Sequence, residues 1–297
     1  MKKGPLPDGR GSEGATKSPQ AHSKSQESGL RVLLVLLALA GALAPVYWLL
    51  TISLKTEVDQ FAMPPKWIFS PTLEHYQALL TTRSMGQALW NSIIAAVGST
   101  ALALAAGVPA AYALNSLKWP AGWADRIGFW ILSNRLLPPI VTIVPLFLML
   151  RDLHLLNSIW ALTAVYTAFH LPFVVWMMRG FLAEVPKEIE EAARLDGASS
   201  VAILRSIVLP LVRPGLAATA AFCMIAAWNE FLFALILTQT AAASTLPVGI
   251  ASRVTQYEIK WGVMSAAGVV AMLPVLIFAG LTQRYLVRGL SLGAVKG

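Results

Sequence analysis

Six long apolar stretches, separated by polar segments, follow one another along the chain from residue 30 onward. The first covers residues 30–52, about 23 positions, and as an α-helix it would measure roughly 34 Å, enough to cross a bilayer. The other five have similar lengths and cover residues 86–114, 126–150, 158–179, 214–238 and 262–286. This pattern predicts an all-α integral membrane protein with six transmembrane helices.

The segment before the first apolar stretch has a different composition. Residues 1–29 are rich in Gly, Ser, Lys, Gln and Pro and contain almost no apolar side chains, which predicts a disordered tail. Ala42-Leu43-Ala44, inside the first stretch, resembles a signal-peptidase site, but the apolar run continues through Val46 and Trp48. We therefore expect an uncleaved anchor and a transmembrane domain that covers residues 30–297.

Composition supports a membrane protein and orients its loops. Of the 297 residues, 56% are hydrophobic and 13% are charged, a balance too apolar for an ordinary soluble domain. The single cysteine, Cys223, excludes an intrachain disulfide framework. If both termini lie on one side, that side carries sixteen lysines and arginines against six on the other. The positive-inside rule then predicts cytoplasmic termini, and it explains the net charge of +8 without a nucleic-acid partner.

The longest polar segment between two spans, residues 180–213, contains a helical pattern. Pro186 suits the first turn of a helix, and Gly197 suits a left-handed cap after it. Between them, polar residues cover most of the surface and apolar residues form one narrow stripe. The polar set is Lys187, Glu188, Glu190, Glu191 and Arg194, and the stripe is Ile189, Ala192, Ala193 and Leu195. Because Ser199 and Ser200 suit the cap of a second helix, we expect a helix–turn–helix docking element outside the membrane.

A gapped motif lies within this segment. Glu191-Ala192-Ala193 is followed after three residues by Gly197 and, after nine more, by Ile207-Val208-Leu209-Pro210. These residue types and spacings resemble the cytoplasmic EAA loop of the membrane subunits of bacterial ABC importers. The resemblance implies that the loop inserts in a cleft of an ATPase subunit, where Glu191 would pair with an arginine. The implied coupling residues are Glu191, Ala192, Ala193, Asp196, Gly197, Ile207, Leu209 and Pro210.

Further short motifs narrow the resemblance to the maltose-type branch of that family. They are Asn91-Ser92, Pro138-Pro139 with Pro145, Leu171-Pro172-Phe173, Arg179-Gly180-Phe181, Trp228-Asn229-Glu230-Phe231, Thr245-Leu246-Pro247 and the ending Gly293-Ala294-Val295-Lys296-Gly297. Members of this branch carry oligosaccharides, polyols, glycerol phosphates and related solutes. The resemblance implies a carbohydrate importer with type I permease architecture, and a phosphorylated or sulfonated sugar is the alternative solute.

The resemblance also implies a set of partners. A second, non-identical permease would complete the translocation path, and two copies of an ABC ATPase would bind ATP and Mg²⁺. An extracytoplasmic solute-binding protein would deliver the solute, and residues 239–261 would form an outer loop that contacts it. This chain itself would bind no cofactor and catalyse no reaction, and it would lie in the inner membrane in contact with lipid.

Arg135 is a charged residue predicted at membrane depth. It lies about nine residues into the third span, roughly 14 Å from its start. A guanidinium there costs at least about 2.5 kcal/mol against lipid, so it must face protein or water. In one interpretation it pairs with Glu230 of the fifth span, although their heights differ by about 10 Å. In the other, it offers a forked donor to an anionic group on the solute.

Trp228, Asn229 and Glu230 lie inside the predicted fifth span, and they also have two interpretations. An ionisable residue in a membrane helix is by default a candidate for the solute path. The simpler alternative is that these residues tie helices together. His170, in the fourth span, is interpreted as a packing residue. Single prolines within the spans are interpreted as kinks, and several together around one bundle as signs of a cavity.

Two other classes of function explain the sequence less well. An intramembrane enzyme needs convergent acids or a histidine–carboxylate set, but the spans offer only Arg135, His170 and Glu230. The chain also contains no Walker-type phosphate loop. A proton-coupled secondary transporter has no use for an EAA loop. We therefore expect a non-enzymatic permease subunit that works by alternating access.

Overall fold

The computed structural model describes residue 4, residues 20–253 and residues 260–294. Within these ranges, the side chains at 20–28, 30, 83, 281, 282 and 284–294 are not described. All the regular secondary structure of the described residues is helical. Residues 1–48 and 49–297 form two compact units, and each is considered by itself.

The N-terminal prediction is met only in part by the described residues. Helix α1, Gln20–Leu54, begins ten residues before the predicted span, because residues 20–28 include no proline or glycine to stop a helix. Its apolar part covers Arg31–Leu54, close to the predicted 30–52. The other residues of the predicted tail, 1–3 and 5–19, lie outside the described part of the chain. The tail therefore stays a prediction there.

The second unit contains the remaining helices, which are joined by short connections. They are α2 Glu57–Gln60, α3 Glu74–Thr81, α4 Arg83–Ser116, α5 Trp123–Ser133, α6 Pro139–Asp152, α7 Ile159–Ala183, α8 Lys187–Leu195, α9 Ser200–Ile203, α10 Leu209–Leu211, α11 Arg213–Trp228, α12 Leu232–Leu237, α13 Leu246–Ala251 and α14 Trp261–Ala294. A 3₁₀ turn, Asn134–Leu136, follows α5, and a π-helical turn, Leu204–Val208, joins α9 to α10.

The helices confirm a multi-span, all-α membrane protein. Among the described residues, four helices are long and apolar enough to cross a bilayer alone: Arg31–Leu54, Ser84–Ser116, Ile159–Ala183 and Trp261–Gly280. Two further pairs pass the same test together but are bent. They are Trp123–Leu136 with Pro139–Asp152, at 89°, and Ser200–Leu211 with Arg213–Trp228, at 83°. The count is therefore four to six, and six spans with cytoplasmic termini stay a prediction.

Prolines act differently when they are paired and when they are single. At Pro138-Pro139 the chain leaves the helix: Leu137 has ψ 122° and Pro138 has ψ 133°, and the 89° bend follows. The residue before a proline avoids the helical region, so two in tandem remove a whole turn. By contrast, Pro145, Pro172 and Pro274 remain inside continuous helices. This agrees with the kinking interpretation for single prolines.

The predicted fifth span is not continuous. Helix α11 ends at Trp228 and helix α12 begins at Leu232, so residues 229–231 form a break within the predicted span 214–238. No proline or glycine marks the position. The cause is a side-chain contact of Glu230, described below, which replaces the backbone hydrogen bonds of a continuing helix.

Helices α4 and α7 pack closely along their lengths and form the centre of the bundle. The small residues of α4 permit this approach. A Cβ atom at Gly98 would lie 3.0 Å from Thr163 Cγ2, and one at Gly107 would lie 2.6 Å from Val174 Cγ1. Two apolar clusters surround this pair. One includes Leu162, Trp228 and Phe233, and the other includes Met178, Ile203 and Val208 beside α8 and α9.

Candidate functional site

The first half of the loop folds as its sequence predicts. Helix α8 covers Lys187–Leu195, directly after Pro186, and Gly197 follows with φ +83°. The N–H of Gly197 donates to Arg194 O (3.1 Å), and the N–H of Ala198 donates to Ala193 O (3.0 Å). These two bonds make a Schellman motif, which requires the left-handed conformation at Gly197.

The second half of the loop begins at a serine cap. Ser199 Oγ accepts a hydrogen bond from the N–H of Ala202 (3.3 Å), and α9 starts at Ser200. Of the two serines proposed as caps, Ser199 is therefore the cap. The helical path continues through the π-helical turn to Leu209 and Pro210 in α10. Ile207 and Leu209 are half-buried against the second apolar cluster, whereas Pro210 is exposed.

The inward face of α8 differs from the prediction. Glu190, assigned to the solvated surface, is only 5% exposed, and its carboxylate accepts from Tyr112 Oη (3.1 Å) and Ser116 Oγ (3.0 Å) of α4. Arg194 Nη2 adds bonds to Glu190 Oε2 (3.3 Å) and to Ser116 O (2.9 Å). The assignment was wrong because these partners lie 74 and 78 residues away in sequence, where helical periodicity carries no signal.

The outward face of α8 is apolar beside Glu191. Leu195 is 90% exposed, Ile189 and Ala192 are exposed too, and Ala193 alone of the predicted stripe is buried. The single stripe was therefore wrong, because burial of Glu190 and Ala193 turns the larger apolar residues outward. Asp196 and Gly197 are also exposed, and a Cβ atom at Gly197 would meet nothing within 4 Å. Neighbouring exposed apolar side chains of this kind are a candidate protein-contact surface when they form a contiguous patch.

Arg135 lies in the 3₁₀ turn at the bend between α5 and α6 and is exposed. Its guanidinium carbon is 4.8 Å from the ring centroid of Phe173 in α7, a cation–π distance. The predicted ion pair with Glu230 does not form: no salt bridge links these two described residues. The ion pair is absent because the two side chains have predicted heights about 10 Å apart and because the carboxylate of Glu230 accepts hydrogen bonds from other donors.

Glu230 stabilises the break in the fifth span. Its Oε1 accepts from the N–H of Phe233 (2.8 Å), and its Oε2 accepts from the N–H of Ala234 (3.1 Å) at the start of α12. The same Oε2 accepts from Tyr166 Oη of α7 (2.6 Å). Three donors therefore hold one carboxylate, and it joins α7 to the broken span.

Trp228 and Asn229 have unequal roles. Trp228 is 4% exposed, and its Nε1 donates to Ala271 O of α14 (3.0 Å). Asn229 is exposed, and its amide donates to Ile225 O of its own helix (2.8 Å). The contacts of Trp228 and Glu230 favour the interpretation that these residues tie helices together.

Several residues of the site were missed at the sequence level. Tyr112, Ser116 and Tyr166 supply hydroxyl donors to Glu190 and Glu230, and Phe173 contacts Arg135. A tyrosine inside an apolar span is a usable signal, since a buried hydroxyl needs a partner, but its partner cannot be identified from periodicity. His170 is buried as the packing interpretation expects, yet its Nδ1 has no hydrogen-bond partner among the described residues.

Two of the quoted motifs meet in space. Asn91 Nδ2 donates to Ala242 O (2.9 Å) and Ser244 O (2.9 Å), and Ser92 Oγ accepts from the N–H of Leu246 (2.8 Å). Asn91-Ser92 therefore fastens residues 242–246, which include the start of α13 at Leu246, to α4. The rest of the predicted outer loop, residues 254–259, lies outside the described part, as do residues 295–297 of the C-terminal motif.

The described chain is thus a set of long apolar helices that presents a helix–Schellman turn–helix loop between two candidate spans. The chain belongs to the family described as binding-protein-dependent transport system inner membrane component, which its residues 103–292 match. It is an ABC transporter permease and a multi-pass membrane protein. The permease in this family is a non-catalytic membrane subunit.

Curated relatives cover almost the whole chain. The sulfoquinovosyl glycerol transport system permease protein SmoH of Agrobacterium fabrum is 36% identical over 281 residues, which is 94% of this chain and 98% of the relative. The trehalose/maltose transport system permease protein MalG of Thermococcus litoralis is 36% identical over 273 residues, 90% and 97% of the two chains. The family resemblance of the EAA loop and the short motifs is confirmed.

A solved structure has the same fold. A chain of a bacterial ABC transporter involved in the import of the acidic polysaccharide alginate matches with a TM-score of 0.75 and 23% identity. The match covers 89% of this chain and 97% of that chain. This likeness shows a shared fold.

Proposed function

We propose that this chain is one of two non-identical permease subunits of an ATP-driven importer in the bacterial inner membrane, and that its solute is a carbohydrate. The names of its relatives support the solute class, since they refer to trehalose, maltose and sulfoquinovosyl glycerol. A solute-binding protein delivers the sugar from outside, and two copies of an ATPase bind ATP and Mg²⁺ inside. This chain binds neither.

The loop geometry carries the proposal. Helix α8 presents Glu191, Ala192 and Leu195 outward, and Gly197 leaves open space beside them. On the opposite face, Glu190 is bonded to the end of α4. A docking helix fastened in this way transmits a displacement of the ATPase to a membrane span as one rigid body. The exposed Glu191 carboxylate is placed to pair with a cation at that interface.

ATP binding and docking of the loaded binding protein are coupled because both favour the same conformational state of the permeases. Closure of the ATPases on ATP and docking of the loaded binding protein both favour the outward-facing state of the permease pair. Because each ligand favours the same state, each increases the apparent affinity of the other. Hydrolysis releases the closed state, and the spans return to the inward-facing arrangement with the solute released.

Reconstitution tests this function. The two permeases, the ATPase and the co-encoded binding protein are incorporated in proteoliposomes, after trehalose, maltose and a sulfonated glycoside have been screened for stabilisation of the binding protein. We expect uptake of the stabilising sugar only when both ATP and binding protein are present. Uptake by the permeases without the ATPase, driven by a proton gradient, would instead indicate a secondary transporter.

A further inference from the structure

Arg135 has no oxygen acceptor in the described part of the chain. Its guanidinium carbon lies 4.8 Å from the ring centroid of Phe173, and no hydrogen bond or ion pair of its guanidinium is present among the described residues. An aromatic ring satisfies the charge in part but accepts no conventional hydrogen bond. Five N–H donors therefore remain available to a ligand at the bend between α5 and α6.

No described carboxylate near Arg135 is free to neutralise it. Glu230 already accepts three hydrogen bonds. On the helices that flank the bend, Asp125 pairs with Arg179 (2.7 Å) and Asp152 pairs with Arg151 (2.8 Å). Among the described residues, Arg135 thus has no carboxylate partner at the bend between α5 and α6, and a charge predicted at membrane depth is costly unless it faces water or an anion.

The ring that contacts Arg135 belongs to a group of three aromatic side chains. Phe173 lies 6.4 Å from Trp176 and 6.0 Å from Phe222, measured between ring centroids. Trp176 is 54% exposed and Phe222 is 41% exposed in the isolated chain. Flat apolar faces beside a few convergent polar donors are the usual lining of a small-molecule site. The apolar C–H faces of a sugar ring pack on such rings, and a planar guanidinium fits a carboxylate, sulfonate or phosphate with two parallel bonds.

We propose that Arg135, Phe173, Trp176 and Phe222 form half of a solute site that selects a carbohydrate carrying an anionic group. The inference rests on the proposed function, because the second permease must close the other side of the site. The aromatic residues contact the sugar ring, and the fork of Arg135 binds the anionic substituent. The bend at Pro138-Pro139 holds the guanidinium at this position, since it interrupts the helix directly after Arg135.

A binding experiment without the solute-binding protein isolates this site. The complete complex of two permeases and two ATPases is placed in nanodiscs, and equilibrium binding of methyl glucoside, methyl glucuronide and methyl 6-deoxy-6-sulfoglucoside is measured. We expect the wild-type complex to bind each anionic probe about tenfold more tightly than the neutral one, since a bond to a charged group exceeds a neutral one. The preference should decrease with added salt.

Substitutions assign the preference to Arg135. Arg135→Gln should abolish the difference between anionic and neutral probes, and Arg135→Lys should retain a smaller part of it, because lysine keeps the charge without the fork. Phe173→Leu should weaken binding of all three probes. Arg151→Gln is the matched control: it removes an arginine from α6 that already has a partner, and the preference should be unchanged.

Two outcomes would overturn the inference. A wild-type complex with no preference for either anionic probe excludes the site. Loss of subunit assembly in Arg135→Gln, with assembly restored in Arg135→Lys and no anion preference in either, means that Arg135 pairs with the partner permease instead. In both cases, ATP-dependent and binding-protein-dependent uptake of a neutral sugar would leave the proposed function intact.

Discussion

The loop between Pro186 and Pro210 and the polar residues around Glu230 are built by opposite means. In the loop, Pro186, Gly197 and Ser199 set each turn through contacts within five residues along the chain. In the predicted fifth span, Glu230 is held by Tyr166, 64 residues away, and Trp228 bonds to Ala271, 43 residues away. Where water satisfies polar groups, local sequence determines the structure; where water is absent, partners on other helices determine it.

Local and long-range stabilisation of polar side chains both occur within a single helix, α8. Glu190 and Glu191 are neighbours in α8, yet Glu190 is buried against α4 and Glu191 is exposed. Glu190 therefore behaves like the intramembrane Glu230, with hydroxyl donors from a distant helix. Glu191 behaves like the rest of the loop surface. Substitution of Glu190 therefore tests the structural support of α8, and substitution of Glu191 tests its contact with a partner protein.

The largest effect is expected at Glu230. Glu230→Ala leaves Tyr166 Oη and the N–H groups of Phe233 and Ala234 without their acceptor. Unsatisfied buried donors of this kind should lower the free energy of unfolding by about 2–4 kcal/mol. The measurement is thermal unfolding of the purified complex in nanodiscs.

The control for this prediction is the neighbouring Asn229→Ala. Asn229 is exposed and bonds only within its own helix among the described residues, so its loss should cost well under about 1 kcal/mol. Equal melting temperatures for Glu230→Ala and wild type would show that the break at residues 229–231 does not depend on the carboxylate.

The next effect concerns coupling, at Gly197. Gly197→Asp places a charged side chain in the space beside the outward face of α8 and should reduce binding-protein-stimulated ATPase activity about tenfold or more, which corresponds to about 1.4 kcal/mol at the interface. Gly122 provides a matched control, because it also has a left-handed φ (+77°) and open space around its Cβ position. Both changes cost about 1–2 kcal/mol of backbone strain.

Only the Gly197 variant should uncouple the complex. If Gly122→Asp lowers stimulated ATPase activity as much as Gly197→Asp does, the loss comes from backbone strain rather than from docking. Basal ATPase activity and subunit assembly serve as the readouts that both variants should preserve.

These contrasts explain how much of the molecule its sequence predicts. The bounds of α8, the cap at Gly197 and the bend at Pro138-Pro139 were predictable because prolines, glycines and capping residues act on their immediate neighbours. The break after Trp228 was not, since the sequence Asn229-Glu230-Phe231 contains no helix-breaking residue. A carboxylate that caps α12 makes that break, and its position depends on Tyr166 in another helix.

Contacts between distant helices also explain why the surroundings of two charged side chains, Glu230 and Glu190, were predicted wrongly. Arg135 and Glu230 were the charged candidates for an ion pair in the spans, so pairing them balanced both charges. Backbone N–H groups exposed by a helix break are donors that no sequence pattern displays, and two of them hold Glu230 instead. Likewise, the hydroxyls at the end of α4 that bury Glu190 are visible only once α4 and α8 are adjacent.

A pair of conservative changes sharpens the contrast within α8. Glu190→Gln should lower the free energy of unfolding by about 1–2 kcal/mol, because it replaces charge-assisted bonds from Tyr112 and Ser116 with neutral ones. Glu191→Gln should leave the unfolding free energy unchanged within about 0.5 kcal/mol, and it should reduce stimulated ATPase activity.

Thermal unfolding and stimulated ATPase activity are measured on both variants in the same membranes. A shared pattern, with both variants destabilised or both only uncoupled, would contradict the division of α8 into a supporting face and a docking face. The double variant should show both losses, approximately added, because the two side chains point to different surroundings.

The smallest effect is expected at Trp228. Trp228→Phe keeps most of the buried aromatic volume but removes the bond from Nε1 to Ala271 O, which ties α11 to α14. Interhelical hydrogen bonds in membranes contribute about 0.6 kcal/mol on average, so a small decrease in thermal stability is expected. Trp160→Phe is the control, since Trp160 is 69% exposed and donates no indole hydrogen bond within the described ranges.

A decrease at Trp228 well above about 2 kcal/mol would indicate lost packing rather than a lost bond, because cavities have costs of that size. Equal stability of the two variants would mean that Ala271 O finds another donor, and that Glu230 alone holds the broken span in place.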